Sequence, residues 1–150
     1  MAGLYFEEFA VGQVVKTLSR TVSEDAIFSF AGLTGDYNQI HTDAEFAKTT
    51  QFGKRVAHGL LGLSIATGLI MRTGLLEGTV LAFREIQEWK FVKPIFIGDT
   101  VHAVLTVAET KPLPRIGAGA LISSVEVRNQ TEEVLQKGTL NLLVLSKPKE

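Results

Sequence analysis

Asp36 and His41 lie five positions apart in the stretch "GDYNQIHTD", residues 35–43. A carboxylate and an imidazole can exchange protons in both directions near neutral pH, so the pair is a candidate acid–base dyad. Five residues of α-helix turn a side chain through roughly 140°, so the two would not share a helix face. The Gly-Asp-Tyr-Asn start reads as a turn, and an irregular loop is expected. Asn38 lies between the two and can fix one of them by hydrogen bonding. The plain alternative is a turn aspartate beside a loop histidine.

A second candidate is "RVAHGLLG", residues 55–62. A helix starting here would aim free N–H groups and a positive dipole end at a ligand, which suits an oxyanion. Gly59 has no side chain to obstruct the approach. In the plain reading Gly59 permits close packing and His58 is a satisfied polar residue at the helix entrance. The residues alone leave both readings open.

Other motifs carry less. His102 is out of phase with Val101, Ala103, Leu105 and Val107, so it is expected to be exposed. The spacing of His41, His58 and His102 matches no metal-ligand pattern and HExxH is absent, so no metal is expected. "GAGALI" does not complete GxGxxG, "GLSIATG" does not meet GxSxG, and there is no P-loop. Trp89 reads as sheet packing and "KPLPR" (111–115) as a loop.

The elements that must position these residues follow from pattern. "KTLSRTV", 16–22, is a short strand. Thr21 with Glu24 has capping-box spacing, and Ser23 is an alternative cap. A helix follows with Ala26, Ile27, Phe30, Ala31 and Leu33 on one face, and Gly35 stops it. Thr42 or Asp43 caps a short helix through "AEFAKTT", and "QFGKR" is a loop. From about His58 to Thr73 the chain is apolar nearly all round, so that helix is expected to be buried on all sides. After Gly78, four segments rich in β-branched and aromatic residues read as strands. Segregated helices and strands imply α+β with an antiparallel sheet curved around the apolar helix. The tight Gly98-Asp99 turn suggests a meander for the last four strands.

Bulk properties narrow the function. The 150 residues suit one domain, 1–150. A net charge of −1 with scattered Lys and Arg argues against a nucleic-acid partner. No cysteine is present, which excludes disulfides and thiol chemistry. The N-terminus lacks the pattern of a secretory signal, and the most apolar run, Gly59 to Met71, is short of the about 20 residues a membrane helix needs. A soluble, cytoplasmic protein is expected, with no membrane partner.

"FAGLTGDYNQIHTD" followed by "VAHGLLGLSIATGLI" resembles the MaoC-like family of (R)-specific enoyl-CoA hydratases. "WKFVKPIFIGDTV" resembles the same family's strand–turn–strand segment, and the likeness runs from about Phe6 to Leu145. It implies a hot-dog fold, an antiparallel sheet wrapped around a long central helix. It also implies a homodimer or higher homo-oligomer, with an acyl thioester site at the subunit interface. Asp36 and His41 match the catalytic dyad. Gly59 matches the glycine whose N–H binds the thioester carbonyl, and Asn38 the motif asparagine. Ser64 and Thr67 fall where the family's helix passes the acyl pocket. The family's proline after the asparagine is Gln39 here, so φ is not covalently fixed at that point.

The implied reaction is reversible hydration of trans-2-enoyl-CoA to (R)-3-hydroxyacyl-CoA. It needs no cofactor, because coenzyme A is part of the substrate. The pathways it fits are fatty-acid oxidation, polyhydroxyalkanoate supply or a branched or dicarboxylic acyl-CoA route. Alternatives are a 3-hydroxyacyl-thioester dehydratase, including one using acyl-carrier protein, and a non-catalytic acyl-CoA-binding module. A hot-dog thioesterase would commonly place a carboxylate in the central helix, and "LLGLSIATGLI" has none.

Overall fold

The computed structural model describes residues 2–149. The expected N-terminal strand is two strands, β1 (Val14–Lys16) and β2 (Arg20–Thr21). Thr17 divides them: its hydroxyl accepts the Ala103 N–H at 2.9 Å and donates to the Leu18 carbonyl, so a side chain replaces the ladder bond. Helix α1 (Glu24–Thr34) begins at Ser23, whose Oγ accepts the Ala26 N–H at 3.2 Å. Ser23, not Thr21, is therefore the cap, because the Thr21 hydroxyl is engaged with that of Thr100. Glu24 and Asp25 complement the positive end of the helix. Ile27 and Ala31 are fully buried, whereas Leu33 falls outside the packed stripe and is exposed. Gly35, at φ +79°, ends the helix in the left-handed conformation.

Two short helices follow, α2 (Gln39–Thr42) and α3 (Ala44–Lys48), the second capped by Asp43. Helix α4 (Gly59–Met71) is the centre of the molecule. It buries Leu61, Ile65, Ala66, Leu69 and Ile70 against the concave face of the sheet. Gly62 lets the sheet come close, since a Cβ there would lie 2.5 Å from Gln136 Nε2 and from Ile95 Cδ1. The helix is not buried on all sides as its composition predicted. Leu60, Ser64 and Gly68, spaced i, i+4 and i+8, remain exposed because sheet and α1 cover only part of its circumference.

Four long strands complete the chain: β3 (Val80–Phe91), β4 (Thr100–Leu113), β5 (Ala118–Arg128) and β6 (Val134–Leu145). All pairings are antiparallel, in the order β1-β4-β5-β6-β3, with β2 also on β4. Only β4, β5 and β6 form a meander, so the expected four-strand meander is wrong. After β3 the chain leaves that edge and crosses the start of α4. There Val92 and Lys93 donate to the Leu135 carbonyl and Ile95 accepts from Ala57, before the chain enters β4 on the far side. Register shifts in the β3–β6 and β4–β5 pairs bend the sheet around α4. The result is the expected α+β hot-dog arrangement. "KPLPR" is not a free loop: Lys111–Leu113 extend β4, and Pro114–Ile116 form a 3-10 turn.

His102 is a further correction. It is buried, not exposed, because the β5–β6 turn folds over β4 and sets Glu132 Oε2 3.4 Å from its Nε2. Among the described residues no helix is long and apolar enough to cross a membrane.

Candidate active site

The loop after α1 is built by short side chains bonding to nearby main chain. The Thr34 hydroxyl accepts the Asp36 N–H at 3.2 Å. Asp36 Oδ1 accepts the Asn38 N–H, and Asn38 Oδ1 accepts the Ile40 N–H, each at 3.2 Å. These are Asx-type turns, the geometry for which Asp and Asn are suited. Asn38 therefore holds Asp36 through its backbone, while its side chain caps α2. That single helical turn, where a plain loop was expected, swings His41 inward.

His41 Nδ1 donates to the Val56 carbonyl at 2.6 Å. Val56 is fixed in turn by a β-bridge to Phe96. His58, the residue before α4, is buried and its Nε2 donates to the Asp36 main-chain carbonyl at 2.9 Å. The His41 and His58 rings stack with centroids 3.8 Å apart, and the Phe30 ring lies tilted against His58 at 4.9 Å. A carboxylate oxygen of Asp36 and one nitrogen from each histidine lie within 4.8 Å of one another.

Gly59 opens α4, and its N–H and that of Leu60 have no acceptor among the described residues, as expected of a first helical turn. A Cβ at Gly59 would come within 2.7 Å of the Phe91 ring, so the bare backbone is needed at this spot. The Gly59 carbonyl accepts from Gln136 Nε2 at 3.0 Å, and Gln136 Oε1 accepts from Trp89 Nε1 at 3.2 Å. That chain ties the start of α4 to β6 and β3. A cavity of about 460 Å³ opens here, lined by Ile40, His41, Phe52, Gly59, Phe91 and Ile95 among others. Its wall is mostly apolar, and its polar features are His41, the helix start, Lys93 and Gln136.

The structure thus brings Asp36, Asn38, His41 and Gly59 to one place. It does not bring Ser64 or Thr67 there. Ser64 lines a different cavity, of about 360 Å³, with Arg20, Gly68 and Arg72, and the Thr67 hydroxyl is engaged with the Ser64 carbonyl. No metal site was expected from histidine spacing, yet Asp36, His41 and His58 do cluster. His58 gives Nε2 to the Asp36 carbonyl and its Nδ1 is sealed from solvent, so the trio offers two accessible groups. Zinc sites take three or four protein ligands.

Two contributors escaped the sequence reading. His58 was visible only as a helix-entrance histidine, since its partner lies 22 residues back. Gln136 did leave a signal: it shares parity with Leu140, Leu142 and Val144, a polar residue in phase with core positions.

Comparison with known proteins gives the chain's relatives. The profile of the family described as "MaoC like domain" matches residues 7–133. An (R)-specific enoyl-CoA hydratase of Rhodospirillum rubrum is 38% identical over 112 residues, 72% of each chain. A 3-hydroxybutyryl-CoA dehydratase of Methylorubrum extorquens is 34% identical over 122 residues, 81% of this chain and 75% of that one. Among solved structures, a monoamine oxidase regulatory protein from Archaeoglobus fulgius superposes with a TM-score of 0.91 at 38% identity, covering 99% of this chain and 98% of that one.

Proposed function

The chain belongs to the MaoC-like family, and from that membership we propose that it adds water to trans-2-enoyl-CoA, giving (R)-3-hydroxyacyl-CoA. The reverse dehydration is the same chemistry, and the likeness to a 3-hydroxybutyryl-CoA dehydratase supports both directions. The observation that carries this reading is that His41 and the free Gly59 N–H line one largely apolar cavity, with a carboxylate oxygen of Asp36 within 4.8 Å of the His41 imidazole.

Hydration needs a polarised carbonyl, a deprotonated water and a proton for Cα. Gly59 N–H, at the positive end of α4, donates to the thioester oxygen as charge moves there from the Cα–Cβ double bond. A carbonyl oxygen only accepts, so His41 carries its proton on Nδ1 toward Val56 and offers a bare Nε2. That supports His41 as the base that takes a proton from water while the water oxygen bonds to Cβ. Asp36 holds the same water from its other side. The proton passes across the pair, and Asp36 delivers it to Cα. One water is added and the substrate neither gains nor loses electrons. Acid–base groups and a backbone dipole meet every demand of the reaction, so the reading calls for no cofactor, and coenzyme A serves as the substrate's handle.

The reading takes residues 1–150 as one cytoplasmic domain working as a homodimer. Strand β3 supports the dimer: its outer edge is unpaired among the described residues, and Leu81, Phe83 and Ile86 on it are exposed. An apolar open edge favours a second strand.

The test is hydration of crotonyl-CoA, followed as loss of the conjugated thioester absorbance, with the product's configuration determined. Turnover to the (R)-3-hydroxy product is expected. Saturable binding without turnover on crotonyl-CoA, longer enoyl-CoA or carrier-protein-bound enoyl thioesters would replace this reading with a binding role.

A further inference from the structure

His58 is a buried titratable side chain that the proposed chemistry does not use. It touches all three parts of the site. Its Nε2 lies 2.9 Å from the Asp36 carbonyl oxygen, its ring stacks on His41 at 3.8 Å, and its main chain leads directly into Gly59. The Asp36 oxygen is a main-chain carbonyl, so Nε2 carries the proton and Nδ1 is bare. Nδ1 is buried with no partner, so a proton there would have no acceptor. The hydrogen-bonded loop, residues 34–40, contains no proline, so no φ in it is covalently fixed. The other bonds of Asp36 itself, its N–H donating to the Thr34 hydroxyl and its carboxylate accepting the Asn38 N–H, are exposed, so water competes for them.

We propose that His58 is a positioning residue: its Nε2–H anchors the Asp36 main chain, and its ring carries the His41 ring. The inference rests on the dyad reading above. Without the anchor, the Asp36 carboxylate and His41 drift relative to each other, while the apolar cavity that holds the substrate stays intact.

The experiment compares His58→Ala, His58→Gln and His58→Phe. Glutamine can place an N–H close to where Nε2 sits, without the ring. Phenylalanine keeps the ring without the donor. His58→Ala should lower kcat about 10²-fold, the usual cost of misplacing reacting groups by an ångström, with KM changed less than about threefold. His58→Gln should recover roughly tenfold, the worth of about one hydrogen bond, and more than His58→Phe does. Melting temperatures should not follow that order, because phenylalanine fills the buried site better. Loss of kcat that tracks melting temperature across the variants would overturn the proposal, as would His58→Ala within threefold of wild type. If His58→Ala does not fold, the Gln and Phe variants decide alone. Nitrogen-15 NMR of the wild-type imidazoles tests the anchor independently of turnover: the Nε2–H tautomer is expected at His58, and Nδ1–H would overturn it. A wild type without hydratase activity but with the expected tautomer would fault the dyad reading and leave the anchor standing.

Discussion

Asp36 and His41 stood out in the sequence because a carboxylate and an imidazole in one short loop can exchange protons in both directions near neutral pH. What that loop does with them could not be read locally. The partners of His41 and His58 are main-chain carbonyls 15 and 22 residues away, and no periodicity encodes such contacts. Gln136 shows the same limit in a milder form. Its parity marks it as facing the core, but its bonds to Trp89 and Gly59 exist only once three elements meet. This amide supports the start of α4. Gln136→Leu keeps the volume, removes the second bond to the Gly59 carbonyl, which also accepts within the helix, and strands the Trp89 N–H. The cost of such an unsatisfied group is about 1–3 kcal/mol, which lowers the melting temperature by roughly 3–10 °C in a chain of this size. Differential scanning calorimetry checks this; an unchanged midpoint would mean that water takes over both bonds.

At the scale of elements, strands and helices were legible and their partners were not. All four long strands lie where β-branched runs predicted them. Their order was misread because β3 and β6 pair through register, and the crossing segment 92–99 carries no mark of its route. The burial of His102 was missed for a related reason: alternation describes a strand's own faces, not the turn that folds back over it. That turn makes a prediction. Glu132 is held below the usual carboxylate range, first by its bond from Lys16, then by that from Arg128, with His102 adding charge. A lowered folded value means stability that is present above the ordinary carboxylate range and lost as pH falls through the folded value. Glu132→Gln should therefore melt below wild type at neutral pH, and the gap should close as pH falls through the lowered folded value. A gap that persists in acid would show that the Glu132 charge is not its source.

At the scale of the whole molecule, the chain leaves apolar side chains uncovered on α4 and β3. Leu60 on α4 and Phe83, Ile86 and Phe91 on β3 are each more than 40% exposed. The all-round apolar character of residues 58–73 was read as complete burial, and the exposed Leu60 is where that reading fails within one chain. A second copy paired along β3 would cover the strand's apolar side chains. Light scattering after gel filtration should give twice the 16.3 kDa chain mass. Ile86→Lys puts a charge on the open edge and should shift the protein toward monomer. A wild type that runs as a monomer at micromolar concentration would contradict the dimer.

The central claim is that Asp36 and His41 act as one proton-transfer unit on an enoyl thioester. The direct test is kcat on crotonyl-CoA for wild type, Asp36→Asn, His41→Ala and the double variant. Removing either half of a unit disables it, so each single change should cost on the order of 10³-fold, and the double variant should be no slower than the worse single. Near-normal turnover in either single variant, or losses that multiply in the double, would contradict the account.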